Sequence, residues 1–299
     1  MDNVSQLPTV TPVHEPEPGR PERVETLTQL CADELLEAFG LSAELRPLEL
    51  LARVPAERLA RQVATYDEIV GESGLAAGGA WGLERMARSV VVEGRENIPL
   101  EGPVLLAANH PGLADSLALF ATVPRSDLRV MAARRPLLAA LPHTSRYLIP
   151  VPEESPGRLG AVRSAARHLR RGGAVLTFPG GRIEPDPTVL PGAVEALERW
   201  SESLDLFARL VANLTVVPAV VCGVLSPTAL RNPLTFIRRQ GRDREWLAAT
   251  LQMLRPALRD VTTRVAFGWA VRAGEVPDGN IRDAVVGETR RLIERCAPD

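Results

Sequence analysis

A histidine and an aspartate with four residues between them follow an apolar run, and their types and spacing suit proton transfer. The run Val104–Ala108 has the length and character of a buried strand, and Asn109, His110 and the helix-starting pair Pro111-Gly112 come directly after it. Asp115 lies inside the apolar helical pattern that follows. Because α/β proteins place their chemistry where a strand ends and a helix begins, we predict that Asp115 faces the imidazole across this corner. The alternative is a histidine that only caps the helix.

Rival catalytic arrangements are weaker. Ser116 stands beside Asp115, but no G-x-S-x-G occurs, so a nucleophile elbow is not predicted. His143 and His168 lack neighbours with metal-ligand spacing, and no glycine fingerprint for a dinucleotide follows a strand. All 35 Lys+Arg residues are arginine, which excludes lysine chemistry. We therefore expect neither a metal nor a cofactor.

The composition limits which partners and which cellular compartment we expect for this protein. The net charge of −2 over 299 residues gives no reason to expect a nucleic-acid partner. The cysteines Cys31, Cys222 and Cys296 are too few and too scattered for a disulfide framework or a zinc site, so a reducing cytosol fits best. We expect no signal peptide, because acidic and proline residues stand where it would need a basic flank and an apolar core, and no uncharged apolar run reaches roughly 18 residues. The expected location is cytoplasmic, with any membrane contact peripheral at the inner face.

The distribution of apolar, polar and helix-breaking residues along the chain predicts three segments. Residues 1–22 are polar and proline-rich, which is typical of a disordered tail. Residues 23–87 predict a helical subdomain, broken at Pro47 and Pro55 and loosened by a Gly/Ala linker at Gly71–Gly79. Residues 88–299 alternate strands with helices. They predict an α/β domain with a mixed, mostly parallel sheet flanked by helices.

Four segments together resemble the glycerolipid acyltransferase superfamily, which includes glycerol-3-phosphate and lysophosphatidic acid acyltransferases. The lead-in Val91–Pro99 is followed by Asn109-His110 and Asp115, which match the first block, N-H-x-x-x-x-D, completely. The run Phe178–Gly181 resembles the third block, usually F-P-E-G-T-R, and Val217–Val221 matches the fourth, an apolar strand with an internal proline. The resemblance implies the fold of this superfamily.

The resemblance also implies an activity: transfer of a fatty acyl group from acyl-CoA or acyl-carrier protein to a hydroxyl of a (lyso)glycerolipid or related lipid or polar acceptor. His110 then serves as the general base, and Asp115 holds the other ring nitrogen. The alcohol attacks directly, without an acyl-enzyme. Backbone N–H groups after Pro111 or at Gly180 and Gly181 are candidate oxyanion donors, unless these glycines only make a turn. Asn109 shapes the corner or caps the helix.

Two blocks depart from the family pattern. Gly180 replaces the glutamate of the third block, and Arg182 comes one place earlier than the family's arginine. The second block is represented by Ser145–Glu153, with Glu153 where a basic residue is expected. Because the family's basic residues there are associated with the acceptor's phosphate, these departures weaken the expectation of a phosphate-bearing acceptor. Arg146 or Arg182 would have to compensate from a shifted position.

Two alternative functions remain open. The first is a catalytically impaired relative that binds a lipid or a protein, and the second is an unrelated hydrolase that releases free acid without an acceptor.

Membrane contact is a separate question. In Arg134–Leu138 and Pro233–Arg239, arginines stand beside apolar side chains. This pattern suits an anionic membrane interface, but it also suits amphipathic helices that pack on the sheet.

Overall fold

The computed structural model describes residues 5–6, 21–41, 46–152, 155–276 and 280–296. Glu153 and most of the predicted tail 1–22 therefore lie outside the described residues. Of that segment, Ser5–Gln6 forms a short strand, and the first helix begins at Pro21. The predicted domain boundaries stay a prediction.

Three helices precede the sheet: α1 (Pro21–Phe39), α2 (Arg46–Ser73) and α3 (Leu75–Leu83). The predicted breaks at Pro47 and Pro55 are wrong, because α2 continues through both. Pro47 lies in the first turn, where a backbone N–H is not needed, and the packing of α2 against α1 outweighs the hydrogen bond lost at Pro55.

The predicted linker at Gly71–Gly79 is wrong as well, since α3 starts inside it. A β-carbon at Gly79 would lie 2.7 Å from Phe120 Cβ and 2.8 Å from Ala121 N. This glycine therefore brings α3 against the helix that carries Asp115, and it does not loosen the chain.

A nine-stranded sheet forms the centre of the part of the chain that the structure describes. Its strands are β1 (Ser5–Gln6), β2 (Ser89–Glu93), β3 (Val104–Ala108), β4 (Arg129–Ala133), β5 (Leu148–Val151), β6 (Ala174–Thr177), β7 (Thr215–Cys222), β8 (Thr262–Phe267) and β9 (Val271–Arg272). The order is β1-β2-β8-β7-β3-β6-β4-β5, and β9 pairs with β7. Strands β7, β3, β6, β4 and β5 are mutually parallel, whereas β8 and β9 run antiparallel to β7. The predicted mixed, mostly parallel sheet is confirmed.

Helices cover both faces of the sheet. They are α4 (Leu113–Thr122), α5 (Pro136–Ala139), α6 (Ser155–Arg170), α7 (Ala193–Ala196), α8 (Ser203–Leu210), α9 (Pro227–Leu230), α10 (Gly241–Leu254) and α11 (Ile281–Cys296). Short 3-10 helices span Arg95–Asn97, Thr144–Tyr147, Leu197–Arg199, Pro233–Ile237 and Pro256–Leu258. Along β3, Leu106 packs into the apolar cluster on one face and Leu105 into the cluster on the other. Because β3 is buried on both faces, it reads in the sequence as an unbroken apolar run.

A disulfide joins Cys222, at the end of β7, to Cys296, in the last turn of α11. The two residues are 74 positions apart, but α11 packs along β7 and brings their Cα atoms to 6.5 Å. The sequence predicts no disulfide framework and a reducing cytosol from these scattered cysteines, and the bond between two of them removes the support that they gave to a reducing compartment. Burial raises the pKa of the remaining thiol, Cys31, to about 12, with a smaller contribution from Glu34.

Within the described ranges, no helix has both the length and the apolar character that crossing a membrane requires.

Candidate active site

The site lies where three neighbouring parallel strands end. Strand β3 lies between β7 and β6. The chain leaves the carboxyl end of β7 at Gly223, that of β3 at Asn109 and that of β6 at Phe178. Side chains that follow these strands therefore meet at one edge of the sheet, the usual place for ligands in α/β proteins.

Asn109 ties two of these strand ends together. Its amide nitrogen donates to the Val221 carbonyl at 2.9 Å, and its carbonyl oxygen accepts from the Val221 N–H at 2.7 Å. The side chain is buried, and both of its bonds go to backbone. This geometry is that of a residue that shapes the corner before His110.

His110 and Asp115 meet as the sequence predicts, with Nδ1 of the ring 2.8 Å from Oδ2 of the carboxylate. The Gly112 N–H and the Ser116 hydroxyl also donate to Asp115, at 2.8 and 2.9 Å, which fixes the carboxylate at the first turn of α4. Since a carboxylate only accepts, Nδ1 carries the proton in this contact and Nε2 is left as the basic nitrogen. The imidazole is 25% exposed and the carboxylate is fully buried. The ring is therefore oriented from inside the protein and open on its other side.

The surroundings of His110 favour its protonated form. Burial lowers the pKa of this imidazole, but the charge and hydrogen bond of Asp115 and the charge of Glu184 outweigh burial, so the pKa is raised. A base with a raised pKa accepts a proton from a hydroxyl group more readily. Phe178 stacks on the ring, with centroids 4.4 Å apart, and further limits its orientation.

Glu184 is a site residue that the sequence motifs did not predict. Its backbone N–H donates to the His110 carbonyl at 2.7 Å, and its Oε2 accepts from the His110 N–H at 3.0 Å. Its Oε1 accepts from the buried indole N–H of Trp200 at 2.8 Å. Burial raises the pKa of Glu184, although the hydrogen bonds from Trp200 and His110 act in the opposite direction. The sequence did offer a signal: Glu184 stands four positions after Gly180, the glycine found where the family pattern has a glutamate.

The remaining predicted site residues do not all lie at the same end of the sheet. Gly180 lies against Glu184, and Gly181 adopts a left-handed conformation (φ 63°) in a turn closed by its N–H and the Phe178 carbonyl. Arg182 is exposed in the same loop. Arg146 is exposed in the 3-10 helix before β5, and therefore near the amino ends of the parallel strands, whereas His110 follows a carboxyl end.

Asp186 holds the same loop against the end of β7. Its fully buried carboxylate accepts from the backbone N–H groups of Gly223, Val224 and Leu225 at 3.0, 2.7 and 3.0 Å, and from the Thr188 hydroxyl at 2.8 Å. The loop after β6 is thus bonded to both neighbouring strand ends, through Glu184 to β3 and through Asp186 to β7.

A small cavity opens beside the first turn of α4. It is lined by Met86, Pro111, Gly112, Leu113, Ala114, Val224, Leu225, Ala249 and Gln252. Most of these side chains are apolar, and the stretch from Pro111 follows His110 directly.

In the described part of the chain, no three His, Cys, Asp or Glu side chains are grouped so as to hold a metal ion. The arrangement offers one oriented base and a surrounding set of bonded carboxylates. Its chemistry is proton transfer to and from a group that approaches Nε2.

Comparison with known proteins points to the same region. Residues 89–221 match the family model described as Acyltransferase. No curated protein matches the chain. Among solved structures, it is similar to the 1-acyl-sn-glycerophosphate (LPA) acyltransferase PlsC from Thermotoga maritima. The identity is 17% over 92% of this chain and 94% of that one, and the TM-score is 0.44.

The matched segment holds the His110–Asp115 pair, the loop with Phe178 and Glu184, and β7 as far as Val221. Over residues 89–221, which are less than half of the chain, this protein is similar to the family described as Acyltransferase.

Proposed function

We propose that this protein is an acyltransferase, and that it moves a fatty acyl group from a thioester, acyl-CoA or acyl-carrier protein, to a hydroxyl of a (lyso)glycerolipid or related acceptor. The observation that carries the proposal is the 2.8 Å contact between Nδ1 of His110 and the buried Asp115. This contact leaves Nε2 of a partly exposed ring as the base, at the edge of the sheet where ligands of α/β proteins bind.

The reaction follows from that geometry. Nε2 of His110 takes the hydroxyl proton while the oxygen attacks the thioester carbonyl carbon. The tetrahedral intermediate then collapses, the C–S bond breaks, and the leaving thiolate takes the proton back from Nε2. The products are an ester and a free thiol, and no enzyme nucleophile or cofactor is needed. Asp115 stabilises the imidazolium that exists between the two proton transfers.

The test is turnover of long-chain acyl-CoA and acyl-carrier protein with a panel of acceptors, with and without a phosphate group. We expect thiol release that depends on an acceptor, and a roughly 10²–10⁴-fold loss in His110→Ala, the range for a positioned acid/base group. Circular dichroism of the variant checks the fold. Thiol release that does not respond to His110→Ala would refute the proposal, and free acid formed without an acceptor would indicate a hydrolase.

One observation favours a second candidate. Gly180 stands where the family pattern has a glutamate, which would fit a relative that binds its ligands without turnover. Such a module would bind an acyl thioester or a lysolipid and release no thiol with any acceptor. Calorimetric titration with a non-hydrolysable acyl-CoA analogue, run beside the turnover assay, separates the two candidates.

The acceptor's polar head needs a binding partner, and we assign Arg182 to it, whereas Arg146, near the amino ends of the parallel strands, serves as the comparison. Arg182 is favoured because it lies in the loop that carries Phe178, the residue stacked on His110. We expect Arg182→Ala to raise KM for a phosphate-bearing acceptor more than Arg146→Ala does. Equal KM values in wild type and both variants would remove the arginines from acceptor binding.

We also propose peripheral contact with an anionic membrane at the cytoplasmic face. The contact surface, here called the Phe236 surface, consists of Leu234, Phe236 and Ile237 with Arg239 and Arg242. Its three apolar side chains are 38%, 65% and 58% exposed, and the two arginines are exposed beside them. Exposed apolar groups among cations suit an interface with anionic lipid. In Arg134–Leu138, by contrast, Leu137 packs on the α1–α2 cluster.

Flotation with vesicles of phosphatidylglycerol and phosphatidylcholine tests this surface. We expect the double variant Phe236→Ser/Ile237→Ser to lose binding. Trp269→Ser is the matched control, because Trp269 is 74% exposed on a different part of the molecule. No flotation of the wild type, or equal flotation of both variants, would contradict the contact.

A further inference from the structure

The carboxyl group of Glu184 occupies the space of a side chain at position 180. A β-carbon added to Gly180 would overlap Glu184 Oε1 and lie 2.9 Å from Glu184 Cδ. Gly180 is not among the glycines with positive φ, so its backbone does not require glycine. The requirement is one of space, because a side chain at 180 and the Glu184 carboxyl exclude each other.

The same carboxyl group is held with little freedom. Glu184 is 4% exposed, and both of its carboxylate oxygens accept hydrogen bonds, one from the His110 N–H and one from the Trp200 indole. With the bond from its own N–H to the His110 carbonyl, Glu184 binds both backbone groups of His110. A residue bonded in this way sets where the histidine lies relative to the end of β3.

Glu184 also acts on His110 through its charge. Two carboxylates face the histidine: Asp115 from α4 and Glu184 from the loop after β6. Both raise the pKa of the imidazole, against the opposing effect of burial. The imidazolium formed during proton transfer is therefore stabilised from two sides.

We infer that Glu184 is a positioning residue for His110, and that it supplies from four positions later the carboxyl group that Gly180 cannot. The substitution of glycine for glutamate in the third block is thus accompanied by a relocated glutamate, and the two positions must change together. This inference rests on the proposed function for its catalytic consequence. Its structural part, the shared space and the charge beside His110, stands independently.

Titration of the His110 ring by NMR tests the charge. We expect the pKa of His110 to be lower in Glu184→Gln than in the wild type, since the amide keeps an acceptor for the His110 N–H but carries no charge. Glu195→Gln, at an exposed position of α7, is the matched control and should leave the titration unchanged. His143 and His168 serve as internal references. An unchanged His110 titration in Glu184→Gln would overturn the inference.

A double-mutant cycle tests the shared space. In the wild-type background, Gly180→Ala should displace the Glu184 carboxyl and lower kcat/KM roughly tenfold or more, since small displacements near the reacting group are costly. In the Glu184→Gly background, Gly180→Ala should add no further loss. Gly160→Ala in α6 is the control, because a β-carbon there meets nothing within 4 Å. A harmless Gly180→Ala, or one equally harmful in both backgrounds, would overturn the inference.

The two experiments separate this inference from the proposed function. If the wild type acylates no acceptor, the proposed function fails. The free energy of unfolding of the Gly180→Ala and Glu184→Gly variants is then measured in place of kcat/KM. A His110 titration that shifts in Glu184→Gln supports the positioning role in either case.

Discussion

Asn109 and Val221 exchange two hydrogen bonds between the ends of β3 and β7, at 2.9 and 2.7 Å, directly before the residue that acts as the base. The backbone at Val221 thereby has both of its polar groups satisfied by one side chain. The position of His110 thus depends on an amide that contributes no proton to the reaction.

Replacement of this amide should reduce stability and activity together. In Asn109→Ala the N–H and C=O of Val221 lose their partner in a buried place, and we expect a loss of about 2–4 kcal/mol in the free energy of unfolding. Urea denaturation measures it. Asn232→Ala is the control, because Asn232 accepts one bond from the Leu234 N–H at the surface and should cost about 1 kcal/mol. A loss in Asn109→Ala no larger than in the control would contradict the structural role.

The pH dependence of kcat/KM follows from the raised pKa of His110. A general base must be unprotonated, so kcat/KM should rise with pH, with a midpoint above the ordinary value of 6.5. In Asp115→Asn burial is opposed by Glu184 alone, and the midpoint should move to lower pH while the rate falls about 10²-fold or more. Asp283→Asn, at an exposed position of α11, should change neither quantity. A midpoint that stays in place in Asp115→Asn would separate the rate from this imidazole.

The same shift affects stability with a defined sign. Because folding raises the pKa of His110, the folded state binds the proton more tightly than the unfolded chain does. The stabilisation is fully present below about pH 6.5 and is lost as the pH rises through the folded-state value. Wild type should therefore lose more stability than His110→Gln across this window, as measured by urea denaturation at a series of pH values. Parallel curves would show that the histidine does not contribute.

Asp186 offers a test of how the loop after β6 is held. Asp186→Ala leaves three buried backbone N–H groups without a partner, and we expect a loss of about 3–5 kcal/mol in the free energy of unfolding. Activity should fall as well, since the loop also carries Phe178 and Glu184. Asp243→Ala, which loses an ion pair with Arg238 nearer the surface, should cost about 1 kcal/mol or less. Equal losses in the two variants would rule out a special role for Asp186.

Local pattern was enough to predict the corner at His110. The strand before it is apolar because it is buried on both faces, and its helix begins where Pro111-Gly112 and Asp115 indicate. The local sequence pattern gave wrong predictions where tertiary packing determines the structure: Pro55 lies inside a continuous helix, and Gly79 allows close packing of two helices. Glu184 was missed for a related reason. A motif assigns a side chain to its own position, whereas this carboxyl reaches back to the space of residue 180.

The disulfide is the clearest case of a contact that spacing conceals, and it can be tested directly. Cys222 and Cys296 close a loop of 74 positions, and in the chain-entropy view the bond stabilises the fold by about 4 kcal/mol. Unfolding without reductant should leave one thiol, Cys31, open to alkylation, and mass spectrometry counts it. Cys296→Ser should lower the midpoint of urea denaturation, whereas Cys31→Ser should leave two cysteines closed to alkylation. Three reactive thiols in the unreduced protein would show that the bond does not form, and the fold would then rely on the packing of α11 against β7 alone.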